Sequence, residues 1–192
     1  MSTAHDLGGE AAASPPTGAR TWLTGSILLG AAVAVAAGVY GRMHDPAGSQ
    51  TITLFFGSTL AFKAWTTTLI AVLASFQLFS ALRIYGRLTR PRRLPAWFGD
   101  VHRLSGTAAF ALSLPVAYHC LWSIGFGGIG DPRRFAHSIL GCLFYGAFAT
   151  KILAVRSRRL PGRMLPVVGA LVFVALIGLW LTSSVWFFAR VG

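Results

Sequence analysis

Five uncharged, mostly apolar runs divide this chain and leave it few folds other than a membrane bundle: 21–41, 64–82, 104–130, 135–150 and 164–189. At about 1.5 Å of rise per residue, roughly 20 residues are needed to cross a hydrocarbon core of about 30 Å. The fourth run alone is short. It reaches that length by continuing through Ile152, Leu153, Ala154 and Val155, with Lys151 snorkelling its ammonium to the interface. Composition agrees, with 54% hydrophobic and only 11% charged residues. The expected fold is an all-α integral membrane protein, a bundle of five transmembrane helices in a domain covering residues 21–192. The helices fall at about 21–40, 62–85, 101–124, 134–155 and 167–189. Residues 1–20 are small, polar and rich in Pro and Gly, with nothing to bury, and read as a disordered tail. The first run is too long for a signal-peptide core and follows a polar leader, so it reads as a retained helix.

A net charge of +12 suggests nucleic acid until its distribution is examined. Arg83, Arg87, Arg90, Arg92, Arg93 and Arg103 flank the second connection, and Lys151, Arg156, Arg158, Arg159 and Arg163 flank the fourth. The first and third carry only Arg42 and Lys63, and Arg133 and Arg134. This alternation is the positive-inside pattern. It puts connections two and four in the cytoplasm, the N-terminus inside and the C-terminus outside, with anionic lipid rather than nucleic acid as the partner of the basic loops. Arginine-heavy, Ala- and Gly-rich usage suits a GC-rich bacterium and so a bacterial cytoplasmic (inner) membrane. Aromatic belts are expected at Trp65 and Trp186–Phe188 on the outer side and Tyr85 on the inner side. The apolar stretch TITLFFGSTLAF in the first connection is suited to lie on the membrane surface or cover the bundle mouth.

Chemistry-bearing residues inside the spans are few. His119 and His137 stand on either side of the loop SIGFGGIGDPRR, which reverses the chain. Both fall roughly a turn below the same membrane face. Intramembrane ionisable groups point to function, and paired histidines on facing helices can hold a metal or haem. Haem b with His119 and His137 as axial ligands is the leading expectation; hydrogen bonds to serine or backbone carbonyls are the alternative. Gly141, Phe144, Tyr145 and Phe148 share the helical face of His137, where Gly141 leaves room for a macrocycle and the rings flank it. Ala108, Leu112 and Pro115 share the face of His119, and Pro115 should kink its helix one turn before that residue. Lys63, Arg133 and Arg134 lie near the same outer edge, where propionates would emerge.

His102 lies about 25 Å from His119 along the same helix and has no inner partner, so one haem is expected rather than two. His102 and Arg103 are candidates for a quinone head group, for Asp100 or for lipid headgroups. His44, in the first connection, and His5, in the tail, read as surface residues. Cys120 and Cys142 read as apolar packing, since their spacing with the histidines matches no common zinc pattern and their depths differ. All five acidic residues lie in tails, loops or helix ends, so ion-coupled transport lacks its usual carboxylates. No GxSxG, P-loop or HExxH occurs.

The segments VHRLSGTAAFALSLPVAYHCLW, HSILGCLFYGAFATKILAVRSRRLPG and LPVVGALVFVALIGLWLTSSVWFF resemble an uncharacterised bacterial family of five-helix membrane proteins, over about Ala64 to Phe188. More loosely, the H-R-x-x-G start and the histidine-bearing antiparallel helices are similar to the transmembrane haem modules of cytochrome b561 and ferric reductases. Those modules usually hold two haems across the membrane, whereas only the outer pair is complete here. The family resemblance implies a Rieske-type iron–sulfur protein as redox partner on the outer face. Together these readings make the chain a single-haem b-type cytochrome relaying electrons for such a partner or for quinol. The alternatives are a cofactor-free membrane anchor or assembly subunit with structural histidines, and a quinone-binding redox subunit lacking haem.

Overall fold

A computed structural model describes residues 17–48, 52–88, 94–157 and 164–191. The tail with His5, Pro91 with its neighbouring arginines, and the basic stretch 158–163 lie outside the described residues. Every element among the described residues is helical. They are α1 (Thr17–Met43), α2 (Thr59–Ile84), α3 (Phe98–Tyr118) continuing as a π-helical turn (His119–Ile124), α4 (Pro132–Arg156), and α5 (Met164–Trp180), which passes through a second π-helical turn (Leu181–Val185) into α6 (Trp186–Val191). Five helical stretches are long and apolar enough to cross a membrane: Arg20–Met43, Thr59–Ile84, Phe98–Ile124, Pro132–Arg156 and Met164–Arg190. They match the five sequence segments with ends displaced by a few residues, the scale on which helix boundaries are soft.

Local chemistry starts and stops these helices. Ser58 caps α2 by accepting the Ala61 N–H at 3.1 Å. Asp131 does the same for α4 from Arg134 N–H at 3.0 Å, with Pro132 in the first turn, where no N–H is needed. Gly125, at φ 77°, ends the helix of α3, and a Cβ there would press on Pro46 at 2.8 Å.

Packing runs from α1 to α4, α4 to α5, α5 to α2 and α2 to α3, and the π-helical turn after α3 returns to α1. The result is a closed ring of five helices. Small residues allow its closest approach: a Cβ on Gly146 would lie 2.6 Å from the Gly30 carbonyl and 2.9 Å from Ala34 Cβ. Thr150 Oγ1 adds a contact to the Ser26 carbonyl at 3.2 Å. Between α2, α4 and α5 the core is Ile70, Ala74, Phe144, Ala175 and Leu176. Ser184 Oγ donates to the Ala64 carbonyl at 2.9 Å, and Trp180 Nε1 donates to Thr68 Oγ1 at 3.0 Å, tying α5 and its π-helical turn to α2.

The end carrying the α1–α2 and α3–α4 connections is called the top here. There the described part of the α1–α2 connection touches the ends of α1 and α3, while Leu54 and Phe55 of its apolar stretch stay exposed. Ala47 N–H donates to the Trp122 carbonyl at 3.1 Å, Phe126 N–H to the Gly41 carbonyl at 3.0 Å, and Phe56 packs edge-on against Phe62. Pro115 does not end its helix. It removes one donor from the ladder, and one turn later the helix widens into the π-helical turn that begins at His119.

Candidate functional site

Helices α3 and α4 meet through side chains near their midpoints. Phe110 stacks on Phe148 at 4.2 Å, nearly parallel, and Tyr145 Oη donates to Ser113 at 3.0 Å. Above these contacts they part, and the ring encloses a chamber of about 520 Å³. That volume lies in the range of small-molecule sites. Ile70, Phe144, Leu176 and Leu179 form its apolar wall, and Lys63, Cys120, Arg133, Arg134 and His137 bring polar groups to it. Among the described residues no carboxylate belongs to this lining.

His137 is oriented from both sides. Its Nδ1 pairs with Thr182 Oγ1 at 2.9 Å, and Thr182 Oγ1 also contacts the Gly178 carbonyl at 2.7 Å. With the Thr182 proton on that carbonyl, His137 carries its own proton on Nδ1 and presents the Nε2 lone pair to Cys120 Sγ, 3.7 Å away. Lys63 lines the same chamber as Cys120 and His137. Lys63 is buried, and among the described residues no carboxylate lies within ion-pair distance of it. The second π-helical turn shapes this corner further. It exposes the Thr182 carbonyl, which accepts from Arg133 Nη1 at 2.7 Å, while the Arg133 guanidinium sits 4.0 Å above the Trp186 ring.

His119 is placed differently. It is fully buried but is not among the residues lining the chamber. Its Nδ1 donates to the Pro115 carbonyl at 2.7 Å, and its Nε2 accepts the Ile52 backbone N–H at 2.9 Å. The ring leans on Phe62 and Tyr118. The chamber instead meets the α3 face of Ser113, Val116, Ala117 and Cys120. That face is offset by one residue, or about 100° of rotation, from the one expected from Ala108, Leu112 and Pro115. As a pair of axial ligands for haem b, His119 and His137 do not fit this arrangement. One lone pair is spent on the α1–α2 connection, and the two rings do not open onto a common space. Among the described residues no three His, Cys, Asp or Glu are grouped to share a metal.

Of the other expected residues, Lys63, Arg133, Arg134, Gly141, Phe144 and Tyr145 line the chamber with His137, while Phe148 lies outside it against Phe110. His102 and Arg103 sit at the opposite end of α3. His102 Nδ1 pairs with Ser80 Oγ at 2.6 Å, its backbone carbonyl accepts from Gln77 Nε2, and Arg103 pairs with Asp100 on the exposed surface. Asp100 is thus the partner found for Arg103. His44 is sandwiched between Tyr40 and Trp122, with its Nε2 buried and unpartnered. Cys120, expected as apolar packing, contacts His137 instead, and Thr182 was not singled out in the sequence. Their signal was the adjacency of Cys120 to His119 and the polar triplet Thr182-Ser183-Ser184 inside an otherwise apolar span.

A family model, that of a family of unknown function (DUF6529), matches residues 23–192. The chain belongs to that family. Neither the curated proteins nor the solved structures contain a match. Membership in DUF6529 agrees with the resemblance to an uncharacterised family and lends nothing to the looser likeness to cytochrome b561 or ferric reductases.

Proposed function

We propose that this DUF6529 chain is a quinol-binding redox subunit of a bacterial cytoplasmic membrane, with the chamber opening toward the extracytoplasmic side. The observation that carries the reading is His137, oriented by Thr182 on the wall of an apolar chamber whose lining, among the described residues, holds cations and no carboxylate. A quinol presents a flat apolar ring with two polar oxygens. Phe144, Leu176 and Leu179 suit the ring and tail. His137 Nε2 can take a hydroxyl proton in place of the Cys120 S–H, and Lys63 can donate to an oxygen. The charge alternation supports the orientation: the basic clusters at Arg83 and Arg87 and at Arg156 flank the connections opposite the chamber, so the N-terminus lies in the cytoplasm. An extracytoplasmic electron acceptor, of the Rieske type that the family resemblance implies, would dock at the top.

Quinones quench tryptophan emission, and Trp186 lines the chamber. Purified protein titrated with decylubiquinone should show a saturable quench. That quench should weaken about tenfold or more in His137→Leu and in Gly141→Leu, which fills the chamber. A non-saturable quench, equal in all three proteins, refutes the proposal.

The cofactor-free anchor reading draws support from His119 and His102, since each is engaged in hydrogen bonds of a structural kind. Haem b is tested separately by a reduced-minus-oxidised spectrum of protein from haem-sufficient cells. A b-type signal lost in both His119→Ala and His137→Ala would require His119 to exchange Ile52 for iron.

A further inference from the structure

Cys120, His137 and Thr182 stand in the order nucleophile, base and orienting group. The sulfur lies 3.7 Å from Nε2, Nδ1 lies 2.9 Å from Thr182 Oγ1, and the Thr182 proton is committed to the Gly178 carbonyl 2.7 Å away. This is the geometric sequence by which a weak nucleophile is activated: a base in reach, itself oriented by a third group. Two further features point to a reaction rather than to packing. Lys63 lines the chamber together with Cys120 and brings positive charge to the space where a thiolate and an oxyanion would form. The sulfur also opens onto an apolar chamber that can hold an alkyl chain; Cys142 lines the same chamber but, among the described residues, has no histidine contact and lies beside Gly38 of α1.

We propose that Cys120 is the nucleophile of a thiol acyl-transfer site whose donors are long-chain acyl esters or thioesters. The Cys120 S–H proton passes to His137 Nε2, and the sulfur adds to the acyl carbonyl carbon. Collapse of the tetrahedral intermediate breaks the donor's C–O or C–S bond. His137 returns its proton to the departing alcohol or thiol, leaving a Cys120 thioester. An incoming hydroxyl, amine or water then takes the acyl group by the reverse proton path. Lys63 stabilises the negative charge at both stages, and Thr182 is a positioning residue. The proposal rests on the chamber being open to lipophiles, as the quinol reading does, and an acyl donor and a quinol would compete for it.

The test uses the full-length protein in detergent with p-nitrophenyl decanoate, following p-nitrophenolate release and mapping the decanoyl mass by peptide analysis. A burst is expected, with a hydroxylamine-labile decanoyl group on the peptide carrying Cys120. His137→Ala should slow the burst by about a hundredfold. Thr182→Val should slow it by about tenfold, with Thr182→Ser restoring it, a rescue that a merely structural role does not require. All variants are first shown to elute as the wild type does. Decanoylation that falls on Cys142 or on lysines overturns the proposal, as does a rate unchanged in both His137→Ala and Thr182→Val. Saturable quinone quenching without acylation sinks this proposal and leaves the quinol reading standing; acylation without quenching does the reverse.

Discussion

Replacing His119 by alanine strips a fully buried site of both of its polar contacts, and the cost can be worked from those contacts. The Ile52 N–H, now bonded to Nε2 at 2.9 Å, loses its acceptor. A donor left unsatisfied costs about 1–3 kcal/mol when buried, toward the low end at Ile52, which is itself exposed. The Pro115 carbonyl is less exposed to loss, because it also accepts the His119 backbone N–H. Removing the ring itself empties a site with 0% exposure, packed against Phe62 at 5.5 Å between centroids. Large-to-small changes of that kind cost about 2–5 kcal/mol, toward the low end where lipid replaces water as the reference for packing. His119→Ala should therefore lose about 3–6 kcal/mol. His119→Gln keeps an acceptor for Ile52 and a donor for Pro115 and should recover about 1–3 kcal/mol of it. The assay is reversible unfolding in mixed micelles of increasing dodecyl sulfate fraction, read by helicity, with hydrogen exchange at the Ile52 amide as a local probe. Alanine and wild-type proteins of equal stability, or a glutamine variant no better than alanine, would falsify the assignment of His119 as the latch of the α1–α2 connection.

Gly146→Ala should destabilise by about 1–3 kcal/mol in the same assay, because its Cβ would meet the Gly30 carbonyl at 2.6 Å. Gly25→Ala, with open space at its Cβ, should be neutral or stabilising by up to about 1 kcal/mol. Tyr145→Phe removes the hydrogen bond to Ser113 and should cost about 0.5–1.5 kcal/mol, while leaving the chamber's shape and quinone quenching intact. Arg133→Ala should shift the Trp186 emission and weaken quinone quenching by a few-fold, and Arg133→Lys should restore it only in part, since an ammonium cannot both bond the Thr182 carbonyl and lie flat on the indole.

The spans were legible because hydrocarbon imposes one simple requirement, length without charge. The face of α4 was legible for the same reason: Gly141, Phe144 and Tyr145 keep the spacing of a regular helix from His137, and all line the chamber. Helix α3 was not, since a π-helical turn starts at His119 and ideal 3.6-residue periodicity cannot say which neighbour faces inward there. Cys120 does, and His119 does not. The partner of His119 lies 67 residues away in an irregular connection, and no local pattern announces a backbone amide as a hydrogen-bond donor. Thr182 escaped notice for a related reason: its role arises from tertiary contact with α4, and serine and threonine in apolar helices ordinarily bond only their own helix.

The central claim, that the chamber beneath the α1–α2 connection binds a lipophile with its head group at His137 and Lys63, is tested most directly by photolabelling. The protein in bilayer vesicles is irradiated with an azido-substituted quinone, and the labelled peptides are mapped. Label is expected on 137–145 of α4 and 63–70 of α2, diminished by excess decylubiquinone and by His137→Leu. Label spread over lipid-facing residues such as Val72, Val155 and Val174, insensitive to competitor, contradicts it.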